Sequence, residues 1–147
     1  SKILQTIKSR CLYFKITLSQ QETIKIFNKI IGKDINSLIN NDLISHYFTP
    51  GDLLNLYNFS LEKKIDLLNM NLKEFLLKII DNQYYKKDIL SINLIFAFLQ
   101  MYFIKKINNL DSYSVYTKFV NSIDDIKRFN LDIESLFIRL RHQIIND

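Results

Sequence analysis

Apolar residues recur along this chain at two different periods. Near the start they alternate: Leu12, Phe14 and Ile16 fall on one face, and Cys11, Tyr13 and Lys15 on the other. Both faces are mostly apolar, the pattern of a short strand covered on two sides. No other stretch reads as a convincing strand, so this one is expected to end a sheet formed by residues upstream. From Ser19 onward the spacing becomes helical. Ser19 with Glu22 forms a capping box, which satisfies two amides at a helix start. Ile24, Phe27, Ile30 and Ile31 follow, and Gly32 suits the left-handed residue that closes a helix. A second helix is expected from Asp34 to His46, with Ile35, Leu38, Ile39 and Leu43 on one face. A third opens at Thr49-Pro50-Gly51-Asp52. There Thr49 caps, Pro50 takes the first helical position, and Leu53, Leu54 and Tyr57 form the apolar side.

Further helices follow. Ser60 is expected to open one carrying Leu61, Ile65 and Leu68. Asn71 and Glu74 cap the next, in which Leu72, Phe75, Leu76, Ile79 and Ile80 make a complete apolar stripe. Asp88 precedes a helix that runs to about Asn108 and is apolar nearly all round, through Ile92, Ile95, Phe96, Leu99, Tyr102 and Phe103. Such a helix belongs at the centre of a bundle. Asp111 or Ser112 starts another, with Tyr116, Phe119, Val120, Ile123 and Ile126. Asn130-Leu131-Asp132 interrupts the pattern, and a last helix uses Ile133, Leu136, Phe137, Leu140 and Ile144.

Composition agrees with this picture and narrows the chemistry. With two Gly and one Pro in 147 residues, turns are scarce and helices joined by short polar loops are favoured. The net charge of +5 permits a nucleic acid or an acidic partner. Its cations are scattered singly or in pairs, as at Lys63-Lys64, Lys86-Lys87 and Lys105-Lys106, which suits a solvated surface. One cysteine excludes an internal disulfide, and with only His46 and His142 beside it no zinc site is expected. Cys11 is expected to be a small core residue, in keeping with a reducing cytoplasm. The start is polar, unlike a secretory leader. The most apolar stretch, Ile89 to Ile104, falls short of the roughly 18 to 20 residues of a membrane span and reads as a buried helix.

Catalytic constellations are missing. Pro50-Gly51 lacks the Gly-Lys-Ser/Thr sequence that cradles phosphate. The acid pairs Asp124-Asp125 and Glu62/Asp66 read as solvated faces, with nothing beside them to tune a carboxyl for acid-base work. His46 is expected at a helix C-terminus, as a dipole-favoured or simply exposed histidine rather than a catalytic one. Phe75, Phe96, Phe103, Phe119 and Phe137 all sit on core stripes. Tyr84-Tyr85 beside Lys86-Lys87 is the one aromatic-basic candidate for base stacking. By itself the chain is expected to be catalytically inert, with no cofactor and no metal.

Thr6-Ile7-Lys8-Ser9-Arg10-Cys11 ahead of the short strand resembles the Ser-Arg-Cys motif of AAA+ clamp-loader ATPases, with Gln5 where that family usually has proline. In the family this motif closes the nucleotide-binding domain, and its arginine reaches the ATP site of the neighbouring subunit. The resemblance thus implies that Arg10, flanked by Ser9 and Cys11, is an arginine finger acting in trans. A guanidinium suits that role because it is always charged and offers a rigid fork of donors to phosphate oxygens. Thr49-Pro50-Gly51-Asp52-Leu53-Leu54-Asn55-Leu56 is similar to the turn that opens the third helix of the family's lid domain. Where ATP-hydrolysing members carry a nucleotide-sensing arginine, this chain has Asp52. Asn130-Leu131-Asp132 before a leucine-rich terminal helix also resembles members of the delta-prime type.

The resemblance implies the C-terminal part of a bacterial DNA polymerase III clamp-loader subunit, mainly α in fold class. Residues 1–17 would end the AAA+ domain as a β remnant, residues 18–60 would form a three-helix lid, and residues 61–147 a helical collar for oligomerisation. The implied partners are gamma/tau-type and delta-type loader subunits. The sliding clamp and primed DNA are reached through the whole complex, a cytoplasmic replication assembly with clamp-loader ATPase. Two alternatives remain: an ATP-hydrolysing gamma/tau-type subunit, and an unrelated helical module that binds protein or nucleic acid. Asp52 speaks against the first. The lone apolar strand speaks against the second, because a self-contained module would not begin with an unpaired sheet edge.

Overall fold

The computed structural model of the chain describes residues 18–86, 92–108 and 110–145. Its elements are α1 (Gln20–Ile31), two 3-10 turns (Ile35–Ser37 and Asn41–Leu43), α2 (Pro50–Lys63), α3 (Leu72–Asp81), a third 3-10 turn (Tyr84–Lys86), α4 (Ile92–Lys106), α5 (Leu110–Phe129) and α6 (Ile133–Ile145). The described residues are all-helical and contain no strand. The alternating stretch at residues 11–16 and the expected cap Asp88 lie outside them.

Local chemistry sets the helix starts. Ser19 Oγ accepts from the Glu22 amide at 3.3 Å, and Glu22 Oε2 accepts from the Ser19 amide at 2.8 Å. The same reciprocal box holds α2 through Thr49 and Asp52, and α3 through Asn71 and Glu74. Each box satisfies amides that have no partner inside the helix. α1 ends at Gly32, which adopts φ 74° and donates its amide to the Asn28 carbonyl at 2.8 Å. A side chain is strained at that φ, so glycine fits there.

Two expectations need correction. Asp34 to His46 is not one α-helix but a pair of 3-10 turns. The Asp34 side chain accepts from the Asn36 amide at 3.0 Å, and the Asn40 side chain accepts from the Asp42 amide at 2.9 Å. These short polar side chains compete for the backbone groups that a continuous helix requires. The apolar spacing still serves burial, since Ile35, Ile39 and Leu43 are fully buried. Nor does Ser60 open a helix: α2 runs through it to Lys63, and Ser60 Oγ donates to the Tyr57 carbonyl at 2.6 Å. Lys64 then adopts φ 54° and ends the helix. Ile65 is buried, while Leu61 and Leu68 are exposed.

The core is continuous. α1 packs on α2, α3 on α4 and α6, and α5 on α4. α4 buries Leu94, Ile95, Phe96, Phe98, Leu99, Tyr102 and Phe103, as its all-round apolar pattern requires. An aromatic chain joins the segments before and after residue 60. Phe48 meets Phe98 edge-on at 5.2 Å between centroids, and Phe75 meets Phe98 at 5.0 Å and Phe59 at 6.3 Å. Edge-to-face pairs of this kind add to the effect of area burial. Among the described residues, no helix is long and apolar enough to cross a membrane.

Candidate interaction surfaces

Ser9, Arg10 and Cys11 lie outside the described residues. Asp52 is described, and its carboxylate is engaged locally. Its Oδ2 accepts from the Thr49 amide at 2.9 Å and from Thr49 Oγ1 at 2.8 Å, so Asp52 holds the start of α2. An anion at this position also suits the positive end of the helix dipole.

Tyr84 and Tyr85 are partly buried and pack against the core. Tyr84 meets Phe59 edge-on at 5.3 Å, and Tyr85 stacks on Phe137 at 4.2 Å with the ring planes 22° apart. Lys86 Nζ donates to Glu134 Oε1 at 2.8 Å. That hydrogen bond raises the Lys86 pKa, and partial burial followed by the Glu134 charge raises that of Tyr85. The loop is thus pinned to α6, with its cation paired. Lys87 lies outside the described residues.

His46 sits exposed in a turn, not at a helix end, so the dipole expected there is absent. No group of three or more His, Cys, Asp or Glu able to hold a metal occurs among the described residues. Asp124 and Asp125 are exposed on α5. Glu62 pairs with Lys63 at 3.0 Å. Asp66 accepts from the Asn69 side chain at 2.7 Å and from the amides of Asn69 and Leu68, which hold its carboxyl below the usual range. These acids have local structural roles or face solvent.

Sequence spacing did not disclose Asp42. Its Oδ2 accepts from the Leu72 amide at 2.8 Å, at the first residue of α3, while Oδ1 pairs with Lys105 Nζ of α4. Lys105 Nζ also donates to the Asp42 carbonyl oxygen at 3.3 Å. The Lys105 hydrogen bond first, and the Leu72 amide after it, hold the Asp42 carboxyl below its usual range against partial burial. These partners stand 30 and 63 residues away, so no local motif could reveal them.

A groove opens between α5 and α6. Val115, Lys118, Phe119 and Ser122 form one wall, and Leu136, Arg139, Leu140 and Gln143 the other, around a cavity of about 260 Å³. Each set follows i, i+3, i+4, i+7, one face of a helix. Past Val115 and Gln143 the groove continues into a cavity of about 460 Å³ that Lys105, Lys106, Asn108 and Ser112 also line. Among the described residues, no Asp or Glu lines either part. Lys118 and Arg139 are exposed and make no ion pair among the described residues. A third cavity, of about 610 Å³, lies where Ser45, His46 and Tyr47 face Ala97, Met101 and Ile104 of α4. An apolar floor with a cationic rim suits a ligand that presents an apolar ridge between anions. Comparison with known proteins gives no relative: no family model matches the chain, and no curated protein or solved structure is significantly similar to it.

Proposed function

We propose that the chain is the C-terminal part of a delta-prime-type clamp-loader subunit, which works in DNA replication by assembling with other loader subunits and lending Arg10 to a neighbour's ATP. Residues 1–17 then close the AAA+ domain. The segment from α1 through the two 3-10 turns to α2 is the lid, and the remaining helices are the collar through which the subunits form a ring. Gamma/tau-type and delta-type subunits are the direct partners, and the sliding clamp and primed DNA are met by the whole complex.

The observation that carries this proposal is the Thr49-Pro50-Gly51-Asp52 helix start. Its sequence is similar to the family's lid turn, and it is built as a capped Pro-initiated helix. Where ATP-hydrolysing members place a cation toward phosphate, Asp52 is a carboxylate held by Thr49. Like charges repel, so this helix start disfavours a nucleotide phosphate. A subunit so built keeps two tasks, assembly and the donation of an arginine in trans.

The test is the variant Arg10→Ala in the reconstituted loader. ATPase activity of the assembly falls at least about tenfold, as for loss of an arginine finger, while the subunits still co-elute in size-exclusion chromatography. Unchanged ATPase in an intact assembly removes Arg10 from the mechanism. Failure of the native chain to join any loader subunit removes the clamp-loader assignment itself.

A further inference from the structure

We propose that the groove between α5 and α6 is a docking site for an acidic amphipathic helix of a partner protein. This inference does not depend on the clamp-loader proposal, although α5 and α6 belong to the segment which that proposal assigns to the collar.

The groove has the two components that helix docking requires. Its floor is apolar, from Val115 with the edges of Phe119, Leu136 and Leu140. Its rim is cationic, with Lys118 on α5 facing Arg139 on α6. Both walls repeat at helical spacing, with Val115 half-buried and only the edges of Phe119, Leu136 and Leu140 exposed, so a third helix with apolar side chains at i, i+3, i+4 and i+7 can lie along them. Lys105 and Lys106 extend the cationic lining at one end, although Lys105 is already paired with Asp42 and Lys106 lies 4.8 Å from the Tyr102 ring centroid. The acids of α5, Asp111, Asp124 and Asp125, fall outside the lining positions, and Glu134 on α6 is engaged by Lys86. The groove therefore presents charge of a single sign, which favours an anionic occupant.

Charge also excludes one occupant from within the chain. Residues 1–17 contain Lys2, Lys8, Arg10 and Lys15 and no Asp or Glu, so that segment has the same sign as the rim. Apolar shape selects against a nucleic acid, which calls for a track of cations and exposed rings for stacking. Here the aromatic residues of the lining, Phe119 and Phe103, are both buried and pack on one another at 4.7 Å between centroids.

The probe is a synthetic, fluorescein-labelled helix of about five turns, with Leu at i, i+3, i+4 and i+7 and Glu on both flanks. Binding to the full chain is read by anisotropy. The peptide binds, and binding weakens as salt screens the rim. The double variant Lys118→Glu/Arg139→Glu lowers affinity at least about tenfold. Both positions are exposed, so the circular dichroism of the variant matches that of the native chain. A peptide with Lys in place of Glu shows the opposite preference and binds the variant more tightly. Equal affinity of the acidic peptide for native chain and variant overturns the proposal. So does tighter binding of an oligothymidylate that the same substitutions abolish, which reassigns the groove to nucleic acid. Self-association in sedimentation equilibrium that the variant abolishes also overturns it, since the occupant is then a second copy of the chain.

Discussion

Asp42 joins three segments through one carboxylate and one carbonyl group. Its partners are the first amide of α3 and the ammonium of Lys105 on α4. The side chains of Lys105 and Asp42 are 47% and 38% exposed, so solvent screens the pair and its worth is modest. Asp42→Asn keeps the shape and removes the charge. It lowers stability by about 1 kcal/mol, measured by urea denaturation near neutral pH. The pH dependence has a definite sign. The Asp42 pKa is lower in the folded state than in the unfolded one. Its contribution is therefore present above the unfolded value of about 3.9 and is lost as pH falls through the folded value. Denaturation curves of native chain and Asp42→Asn converge toward the acid side. Curves that stay parallel from pH 7 to pH 2 rule out this role for the carboxylate.

Among the elements, those with a complete local start signal match the sequence reading most closely. α1, α2 and α3 each begin at a residue whose side chain and third successor satisfy one another. Removing one such cap has a known scale. Thr49→Ala lowers stability by about 1 kcal/mol, visible as a reduced thermal midpoint, whereas Thr49→Ser leaves it nearly unchanged. Equal midpoints for Thr49→Ala and the native chain contradict the role of the cap. The segment from Asp34 to His46 carries a helical apolar period, yet its Asp and Asn side chains divide it into short turns. Periodicity identified which residues are buried there, Ile35, Ile39 and Leu43. It did not identify the backbone, because local side-chain hydrogen bonds and burial select different features of the same sequence. Ser60 shows the converse: a good capping residue stands inside a helix, with its hydroxyl turned back to the Tyr57 carbonyl.

For the whole molecule, one core spans the division placed at residue 60. Phe48 reaches Phe98, Phe59 reaches Phe75, and Asp42 reaches Lys105. The described segments therefore unfold together. Loss of helical ellipticity and the change in tyrosine fluorescence coincide on one denaturant curve, whereas two separated transitions refute a shared core. The sequence by itself determined the helical class, the caps of α1, α2 and α3, the stripe of α3 and the central position of α4. All of these follow from residues within a turn or two of one another. Only the tertiary structure decided that Tyr84 and Tyr85 pack on Phe59 and Phe137, that Asp42 clasps α3 and α4, and that Lys118 faces Arg139 across a groove. The partners in those contacts lie far apart along the chain. Their meeting depends on how the helices pack against one another, and the pattern of any single helix does not contain that information.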